Sequence, residues 1–152
     1  MNREELLYQT LYSHNLEKLY GTLTGRIDKI LSFCLLLLGS AVVASIGHPV
    51  ATGLFIAGIT ALRMAFQFEA ASEHAHGQSG AWLKLFNTQH QTLSDDDLLC
   101  AVTSLQEADS AVWSVLIRPA MILTQSEQGK TQREKLTPAE RLFAFFSGGS
   151  VR

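Results

Sequence analysis

Charged and apolar residues are segregated along this chain. The segment from Ile30 to Leu62 contains no Asp, Glu, Lys or Arg, although charged residues make up 17% of the whole chain. At that frequency a segment of this length would be expected to carry about six charges. Ile30 to Gly47 and Val50 to Phe68 each cover roughly 27 Å as a helix, which is close to the hydrocarbon thickness of a bilayer. The pattern therefore predicts two membrane-spanning helices, the first and second crossing.

The residues between the two crossings predict a tight turn. Proline cannot continue the first helix but fits the opening of the second, so Gly47, His48 and Pro49 are expected to close a helical hairpin. Basic residues precede the hairpin and resume at Arg63, but none lies in the turn. The positive-inside rule then places both termini in the cytoplasm. The alternative is a soluble bundle with two buried apolar helices, which a chain this small rarely surrounds.

Small residues recur at four-residue spacing in the crossings and predict close helix packing. Residues four apart share a helix face, so a strip of small side chains lets another helix approach closely in lipid. The small residues are Gly53, Ala57, Ala61 and Ala65 in the second crossing, with Ser40 and Ala44 in the first. These faces either close the hairpin on itself or drive assembly between chains. One hairpin cannot enclose a water path, so any channel requires a homo-oligomer.

Arg63 is the one ionisable residue predicted at membrane depth. It lies about 7 Å of helix before Phe68, so its long side chain can snorkel to the cytoplasmic surface. The alternative is a ring of arginines at the inner mouth of an oligomeric pore, which would favour anions. The sequence leaves both interpretations open.

The polar segments on either side of the hairpin (residues 27–68) predict cytoplasmic helices. Residues 1–26 are expected to form an amphipathic helix with one apolar stripe, loosened near the membrane by Gly21 and Gly25. Residues 69–123 are expected to form a stalk of two antiparallel helices. Ser94, followed by three aspartates, resembles a capping box that starts the second stalk helix. Pro119 is expected to kink or end that helix.

Residues 124–152 predict a mobile polar tail that ends in a short amphipathic helix. Thr137, Pro138 and Glu140 occupy the N-cap, first and third positions of a capping box. Four bulky apolar side chains follow, namely Leu142, Phe143, Phe145 and Phe146. They either pack on the stalk or enter the membrane interface, where Phe143, Phe145 and Phe146 would form an anchor.

Composition and motifs give no support for catalysis or nucleic-acid binding. A net charge of -2 and a pI near 6.2 provide no general attraction to DNA or RNA. Cys34 and Cys100 are expected to be buried apolar residues. One cluster resembles a site, namely Glu69, Glu73, His74, His76 and His90.

The spacing of this cluster matches no zinc pattern, so a solvated helix face is the better interpretation. The sequence also contains no phosphate loop, no supported nucleophile motif and no HExxH. We therefore expect no enzymatic activity, no cofactor and no metal. No cleaved leader is expected either, because polar residues precede the first apolar run.

An amphipathic leader, a close hairpin and a set of cytoplasmic segments occur in this order along residues 1–123. The segments are LRMAFQFEAASEHAHG, which includes Phe66 to His74, then WLKLF, SDDDLL and LQEADSAVWSVL. In this arrangement and these patterns the chain resembles the SLATT-like superfamily of two-transmembrane bacterial proteins. The resemblance implies a membrane effector of bacterial conflict and antiviral systems that assembles into pores. The Phe-rich ending is not matched by the family pattern.

Taken together, the sequence predicts an all-α integral membrane protein with a two-helix transmembrane hairpin and a cytoplasmic antiparallel helical stalk. We expect it in the bacterial inner membrane, with the lipid bilayer and further copies of the chain as partners. The expected function is that of an oligomeric pore-forming effector. The competing interpretation is a non-conducting membrane-anchored adaptor or phage-encoded exclusion factor, whose stalk recruits a partner protein.

Overall fold

The computed structural model describes residues 2–43, 48–89, 91–130 and 135–149. Across these ranges every regular element is helical, so the predicted all-α fold class is confirmed. The helices are α1 (Arg3–Val43), α2 (Pro49–Phe66), α3 (Phe68–Lys84), α4 (Asp95–Glu107), α5 (Ile117–Glu127) and α6 (Pro138–Phe146). A π-helical turn, Leu85–Gln89, extends α3, and a 3₁₀ turn, Ser114–Leu116, precedes α5.

α1 is a single helix of 41 residues that forms the axis of the molecule. Its length is about 62 Å at the standard helical rise. α3, α4, α5 and α6 all pack against it, and buried side chains point from several of its faces, as Leu6, Asn15, Glu17 and Leu23 show. The prediction of a single apolar stripe over residues 1–26 is therefore wrong, because this part of α1 is surrounded by other helices. The boundary predicted at residue 26 falls inside the helix.

Gly21 and Gly25 bring α3 close to α1 and do not loosen the helix. A Cβ added at Gly21 would lie 2.5 Å from the His76 ring, and one at Gly25 would lie 2.7 Å from Ser72 Oγ. Ser72 Oγ donates a hydrogen bond of 2.7 Å to the carbonyl oxygen of Gly21. The missing side chains thus create the space that the polar residues of α3 occupy.

α2 begins and ends with marked local geometry. Proline stands in its first turn, as predicted. Gln67 adopts the left-handed conformation, with φ 45° and ψ 48°, and separates α2 from α3. The rings of Phe66 and Phe68 stack across this residue at 5.4 Å. The break between α2 and α3 is therefore confined to one residue.

The apolar helices are not covered by the rest of the protein. No residue of α2 is buried, and among the described residues one helical stretch, Pro49–Thr88, is long and apolar enough to cross a membrane. The first predicted crossing extends into residues 44–47, outside the described ranges. The alternative of a soluble bundle with both apolar helices in its core does not fit, because α2 would then have to be buried.

The predicted antiparallel stalk of residues 69–123 differs from the observed packing. α3 runs antiparallel to α1 and makes its main contacts with that helix, whereas it touches α4 only slightly. α4 ends at Glu107, and residues 108–113 are not helical. Pro119 neither kinks nor ends a helix, because it lies in the first turn of α5, where its missing N–H has no cost. The boundary predicted at residue 123 likewise falls within α5.

Two apolar clusters form the core of the bundle that α3, α4, α5 and α6 make with the first half of α1. The distal cluster consists of Leu6, Trp82, Leu85, Leu98 and Val102. The proximal cluster, nearer the uncharged part of α1, is built around Tyr20, Leu23, Ala75 and Leu116. Both clusters include α1 and the segment that begins with α3, so these two helices hold the bundle together.

The predicted helix caps at Ser94 and Thr137 are confirmed. Ser94 Oγ accepts a hydrogen bond of 3.2 Å from the N–H of Asp97 at the start of α4. At α6 the Thr137 hydroxyl accepts from the N–H of Glu140 while the Glu140 carboxylate accepts from the N–H of Thr137, which completes a capping box. The hydrogen bond from the Thr137 N–H lowers the pKa of Glu140.

Candidate functional site

α1, α2 and α3 meet at a junction that consists of Asp28, Arg63 and Gln67 with the residues around them. Arg63 Nε donates a hydrogen bond of 2.9 Å to Asp28 Oδ1, and Arg63 Nη2 donates one of 3.1 Å to Asp28 Oδ2. Neither side chain is exposed. This is the bidentate geometry in which a guanidinium and a carboxylate interact most strongly. The ion pair therefore fastens α2 to α1 near the end of the uncharged segment.

Asp28 is the partner of Arg63, and sequence reasoning treated it only as the boundary of the first crossing. Arg63 was identified, but its predicted environments were the membrane surface or a pore mouth. The structure instead places its charge against Asp28 in the same chain. The sequence did contain a sign of this pairing. The two helices of a hairpin bring residues near its open end to the same level along the helix axes. An acid before the first crossing and a base near the end of the second are therefore candidates for pairing.

Two clefts flank Asp28. The first, of about 310 Å³, lies between α1 and α3 and includes Lys29, Glu69, Glu73 and His76 in its wall. The second, of about 350 Å³, lies between α1 and α2 and includes Arg63 and Gln67. Asp28 lines both clefts, so the ion pair lies between them at the base of the hairpin.

The residues of the predicted polar cluster do not converge on a metal. In the part of the chain that the structure describes, no group of three or more His, Cys, Asp or Glu side chains could hold a metal ion. His74 Nε2 lies 2.8 Å from the carbonyl oxygen of Ala108, and His76 Nδ1 lies 2.8 Å from that of Ser72. His90 lies outside the described residues. The two histidines contact backbone oxygens of their own bundle.

The cysteines differ from the predicted burial. Cys34 is half-buried, Cys100 is exposed, and both are free thiols. Cys100 lies on the outer face of α4, where the apolar pattern alone did not distinguish it from its buried neighbours Leu98 and Val102.

The strip of small residues on α2 faces away from α1. Gly53, Ala57, Ala61 and Ala65 are all exposed, and nothing lies within 4 Å of a Cβ added at Gly53. The half-buried positions of α2 are Thr52, Ile56, Ile59 and Arg63. These positions recur at intervals of four, three and four and form a second stripe, which contacts α1. Within the chain the hairpin therefore closes on the second stripe and leaves the small residues bare.

The small residues predicted in the first crossing are only partly described. Ser40 is exposed, and its Oγ donates to the carbonyl oxygen of Leu36 in its own helix at 2.9 Å. Ala44 lies outside the described residues. Ser40 thus takes no part in closing the hairpin.

α6 divides its bulky residues between two faces. Phe143 packs edge to face against Trp113, with 6.4 Å between ring centroids, whereas Phe145 is 75% exposed, Leu142 55% and Phe146 40%. Packing on the bundle, one of the two alternatives from the sequence, thus applies to Phe143, while Leu142, Phe145 and Phe146 are left exposed. Phe143 does not belong to the exposed group, and Leu142 does.

The helical bundle contains a buried carboxyl group that sequence reasoning missed. Glu17 is 2% exposed, and its Oε1 accepts a hydrogen bond of 2.7 Å from the N–H of Ser110. Among the described residues its Oε2 has no partner. Burial raises the pKa of Glu17, and the hydrogen bonds from Ser110 oppose that shift without cancelling it.

Glu17 helps to hold the irregular segment between α4 and α5. In that segment Asp109 Oδ1 accepts hydrogen bonds from Trp82 Nε1 at 2.7 Å and from Gln78 Nε2 at 3.1 Å. The Ser110 backbone thus bonds to α1, and the Asp109 side chain bonds to α3. These bonds explain why the helix predicted to run to Pro119 stops at Glu107.

Comparisons of the chain with protein-family models, with curated proteins and with solved structures found no match. The features of the described residues that bear on function are therefore the junction, the bare face of α2 and the exposed face of α6.

Proposed function

We propose that this chain is an oligomeric inner-membrane protein of a bacterium and acts as a pore-forming effector in an antiviral or conflict system. In this proposal α2 and the uncharged end of α1 cross the membrane as a hairpin, and both termini lie in the cytoplasm. The observation that carries the proposal is the bare strip of Gly53, Ala57, Ala61 and Ala65. The effector role itself follows from the resemblance to SLATT-like proteins.

The exposed apolar side chains support membrane insertion. Phe33 and Leu36 on α1 and Leu54 and Phe55 on α2 are each more than half exposed. A contiguous apolar surface of this kind on a soluble monomer would favour aggregation, whereas in lipid it is the expected surface of a spanning helix. The ion pair of Asp28 and Arg63 is consistent with this position, because pairing lowers the cost of a charge near the hydrocarbon.

The bare strip supports assembly through α2. Lipid tails are as apolar as leucine, so helices in a membrane associate through close packing of small residues. The strip on α2 is free for that contact because α1 uses the stripe of Thr52, Ile56 and Arg63. A second copy of α2 is therefore the partner that this surface fits best.

One observation favours the second candidate function, a non-conducting adaptor or exclusion factor. The hydroxyl groups of the hairpin bond to their own helices, since Thr52 and Thr60 donate to the carbonyl oxygens of His48 and Ile56. Arg63 is bound to Asp28. An assembly that keeps these bonds offers few free polar groups to a water path, so conduction would require rearrangement of the junction.

Purified protein in mild detergent and in liposomes tests the proposal. We expect an assembly of several chains by mass measurement and release of an encapsulated dye. Ala57→Leu with Ala61→Leu should reduce the assembly and abolish leakage, because larger side chains hold the helices apart. Ala51→Leu, the same substitution at one exposed position of α2 outside the strip, should change neither.

The remaining outcomes separate the candidates. An assembly without leakage would support the adaptor and contradict the pore. A monomer that does not leak would contradict both the pore and the role of the strip. Recovery of the protein in the soluble fraction without detergent would contradict the membrane location.

A further inference from the structure

We propose that α6 is an interfacial anchor, which inserts Leu142, Phe145 and Phe146 into the cytoplasmic surface of the bilayer that the hairpin spans. Arg26 docks this anchor to the base of the hairpin. The proposal rests on the membrane location of the hairpin but not on pore formation, and it assigns a role to the part of the chain that the family resemblance does not cover.

The first step of the argument is the division of α6 into two faces. Ala144 and Ser147 are buried against the bundle and Phe143 packs on Trp113. Leu142, Phe145 and Phe146 lie three and four positions apart and therefore share the opposite face. The helix is thus held by one side while the other presents three large apolar side chains, the pattern of a helix that lies in a membrane interface.

The second step is the position of α6 along α1. Arg26 Nη1 donates hydrogen bonds to the carbonyl oxygens of Phe145 and Phe146, at 3.3 and 2.7 Å. Arg26 precedes Ile30, the start of the uncharged segment, by about 6 Å of helix. The exposed face of α6 therefore lies beside the level at which α1 would enter the hydrocarbon, where the headgroup region is expected.

The third step is continuity with the apolar surface of the hairpin. Ile30 and Phe33, the first exposed large apolar residues beyond Arg26, are at least half exposed. Phe145 and Phe146 thus extend the apolar surface that would face lipid. Arg141 is exposed on the same helix and suits anionic headgroups. A phospholipid surface is the one occupant that covers both apolar regions together.

The fourth step concerns binding strength. A helix of nine residues is too short to bind a bilayer firmly by itself. Attachment to α1 holds it next to the membrane and supplies a high effective concentration. Arg26 caps the carbonyl end of α6, a position in which a cation is favoured by the helix dipole, so one side chain provides both capping and docking.

Photo-crosslinking of the full chain tests the anchor. p-Benzoylphenylalanine would replace Phe145 in protein reconstituted into phosphatidylethanolamine and phosphatidylglycerol liposomes, and adducts would be identified by mass spectrometry. Phe55 on α2 serves as the positive position and Ser104, exposed on α4, as the negative one. We expect phospholipid adducts at 55 and 145 and none at 104.

The outcomes distinguish the anchor from the proposed membrane hairpin. Lipid at 55 without lipid at 145 would overturn the anchor and leave the hairpin standing. A crosslink from 145 to a second copy of the chain would also overturn the anchor, because α6 would then cover a neighbouring subunit. Lipid at 145 without lipid at 55 would contradict the hairpin and would therefore also overturn the anchor as proposed, because the anchor rests on the hairpin.

The docking role of Arg26 has its own test. Arg26→Gln removes the charge and its fork of donors while the exposed position tolerates the change. We expect loss of most of the phospholipid adduct at 145 with the adduct at 55 unchanged. An undiminished adduct at 145 would overturn the role of Arg26.

Discussion

The two ends of α1 have the same helical geometry but opposite surroundings. From Leu6 to Thr24 the helix is enclosed, and even polar residues such as Asn15 and Glu17 are buried. From Ile30 to Leu37 it carries leucine and phenylalanine side chains that are more than half exposed. The half rich in polar residues is thus the core of the molecule, and the half rich in apolar residues is its surface. That inversion is what the proposed membrane location requires.

The largest expected effect comes from a matched truncation in the two halves of α1. Leu6 is 1% exposed and Leu36 is 67% exposed. Leu6→Ala should lower the free energy of unfolding of the bundle by about 2–5 kcal/mol, because it opens a cavity in the distal cluster. Leu36→Ala should change it by less than about 0.5 kcal/mol. Denaturation of each variant in detergent would measure both values, and equal losses would refute the contrast.

The next effect concerns the ion pair at the boundary between the halves. Arg63→Ala leaves the Asp28 carboxylate without its partner and should destabilise the hairpin by about 1–2 kcal/mol, since the pair is neither fully buried nor free in solvent. The exchange Asp28→Arg with Arg63→Asp should recover part of that loss. Thermal unfolding of the single and double variants gives the coupling energy. Additive effects would show that the two residues do not interact.

The control for this measurement is the ion pair of Arg3 with Asp95, at the far end of α1. Asp95 is exposed, so solvent screens its charge, and Asp95→Asn should cost less than about 1 kcal/mol. A larger loss of stability from Asp95→Asn than from Arg63→Ala would contradict the stronger role assigned to the pair of Asp28 and Arg63.

Glycine substitutions in the two halves of α1 should change the free energy of unfolding by smaller amounts and in opposite directions. Gly21→Ala should destabilise the bundle by about 1 kcal/mol, because the new Cβ meets the His76 ring, which can rotate, and Ala75 Cβ at 3.2 Å, which cannot. At Gly39 nothing lies within 4 Å of an added Cβ, so Gly39→Ala should stabilise the helix by about 0.5–1 kcal/mol. Differential scanning calorimetry would detect the opposite signs.

The smallest effects are expected from acid–base titration of the bundle. Because burial raises the pKa of Glu17 above its ordinary value, the folded state binds more protons than the unfolded state between the two pKa values. The free energy of unfolding should therefore fall as pH rises through that window. Glu17→Gln keeps an acceptor for the Ser110 N–H and should flatten this dependence, which denaturation at a series of pH values would show.

Glu140 provides the opposite sign. Its pKa is lowered by the Thr137 N–H, so its contribution is present above the unfolded pKa and is lost as pH falls through the folded pKa. Glu140→Gln should therefore remove a stabilisation that disappears in acid. If Glu17→Gln and Glu140→Gln changed the pH dependence of the free energy of unfolding in the same direction, the opposite pKa shifts assigned to Glu17 and Glu140 would be contradicted.

Local features of this fold could be predicted from the sequence, while contacts between distant residues could not. The caps at Ser94 and Thr137 and the proline that opens α2 follow from neighbouring residues alone. The burial of Glu17 could not be predicted, because a glutamate in a helix normally indicates a solvated face. The end of α4 depends on bonds from Trp82 and Gln78 to Asp109, which exist only after α3 has packed.

The candidate site shows the same division. The strip on α2 was found by its spacing, but only the structure shows that the strip is exposed within the chain. Arg63 was found by its depth, whereas Asp28 became apparent only when the two helices were placed side by side. The division of α6 into packed and exposed faces required the position of Trp113.

The left-handed residue between α2 and α3 has a mechanical consequence. α1 is continuous from the bundle into its apolar half. A tilt of one end of this helix therefore also tilts the other end. On the return path Gln67 is a joint, where rotation about two backbone bonds can absorb a change of angle. If the hairpin spans a bilayer as proposed, a change of angle between the bundle and α2 would pivot about Gln67 and strain the ion pair of Asp28 and Arg63.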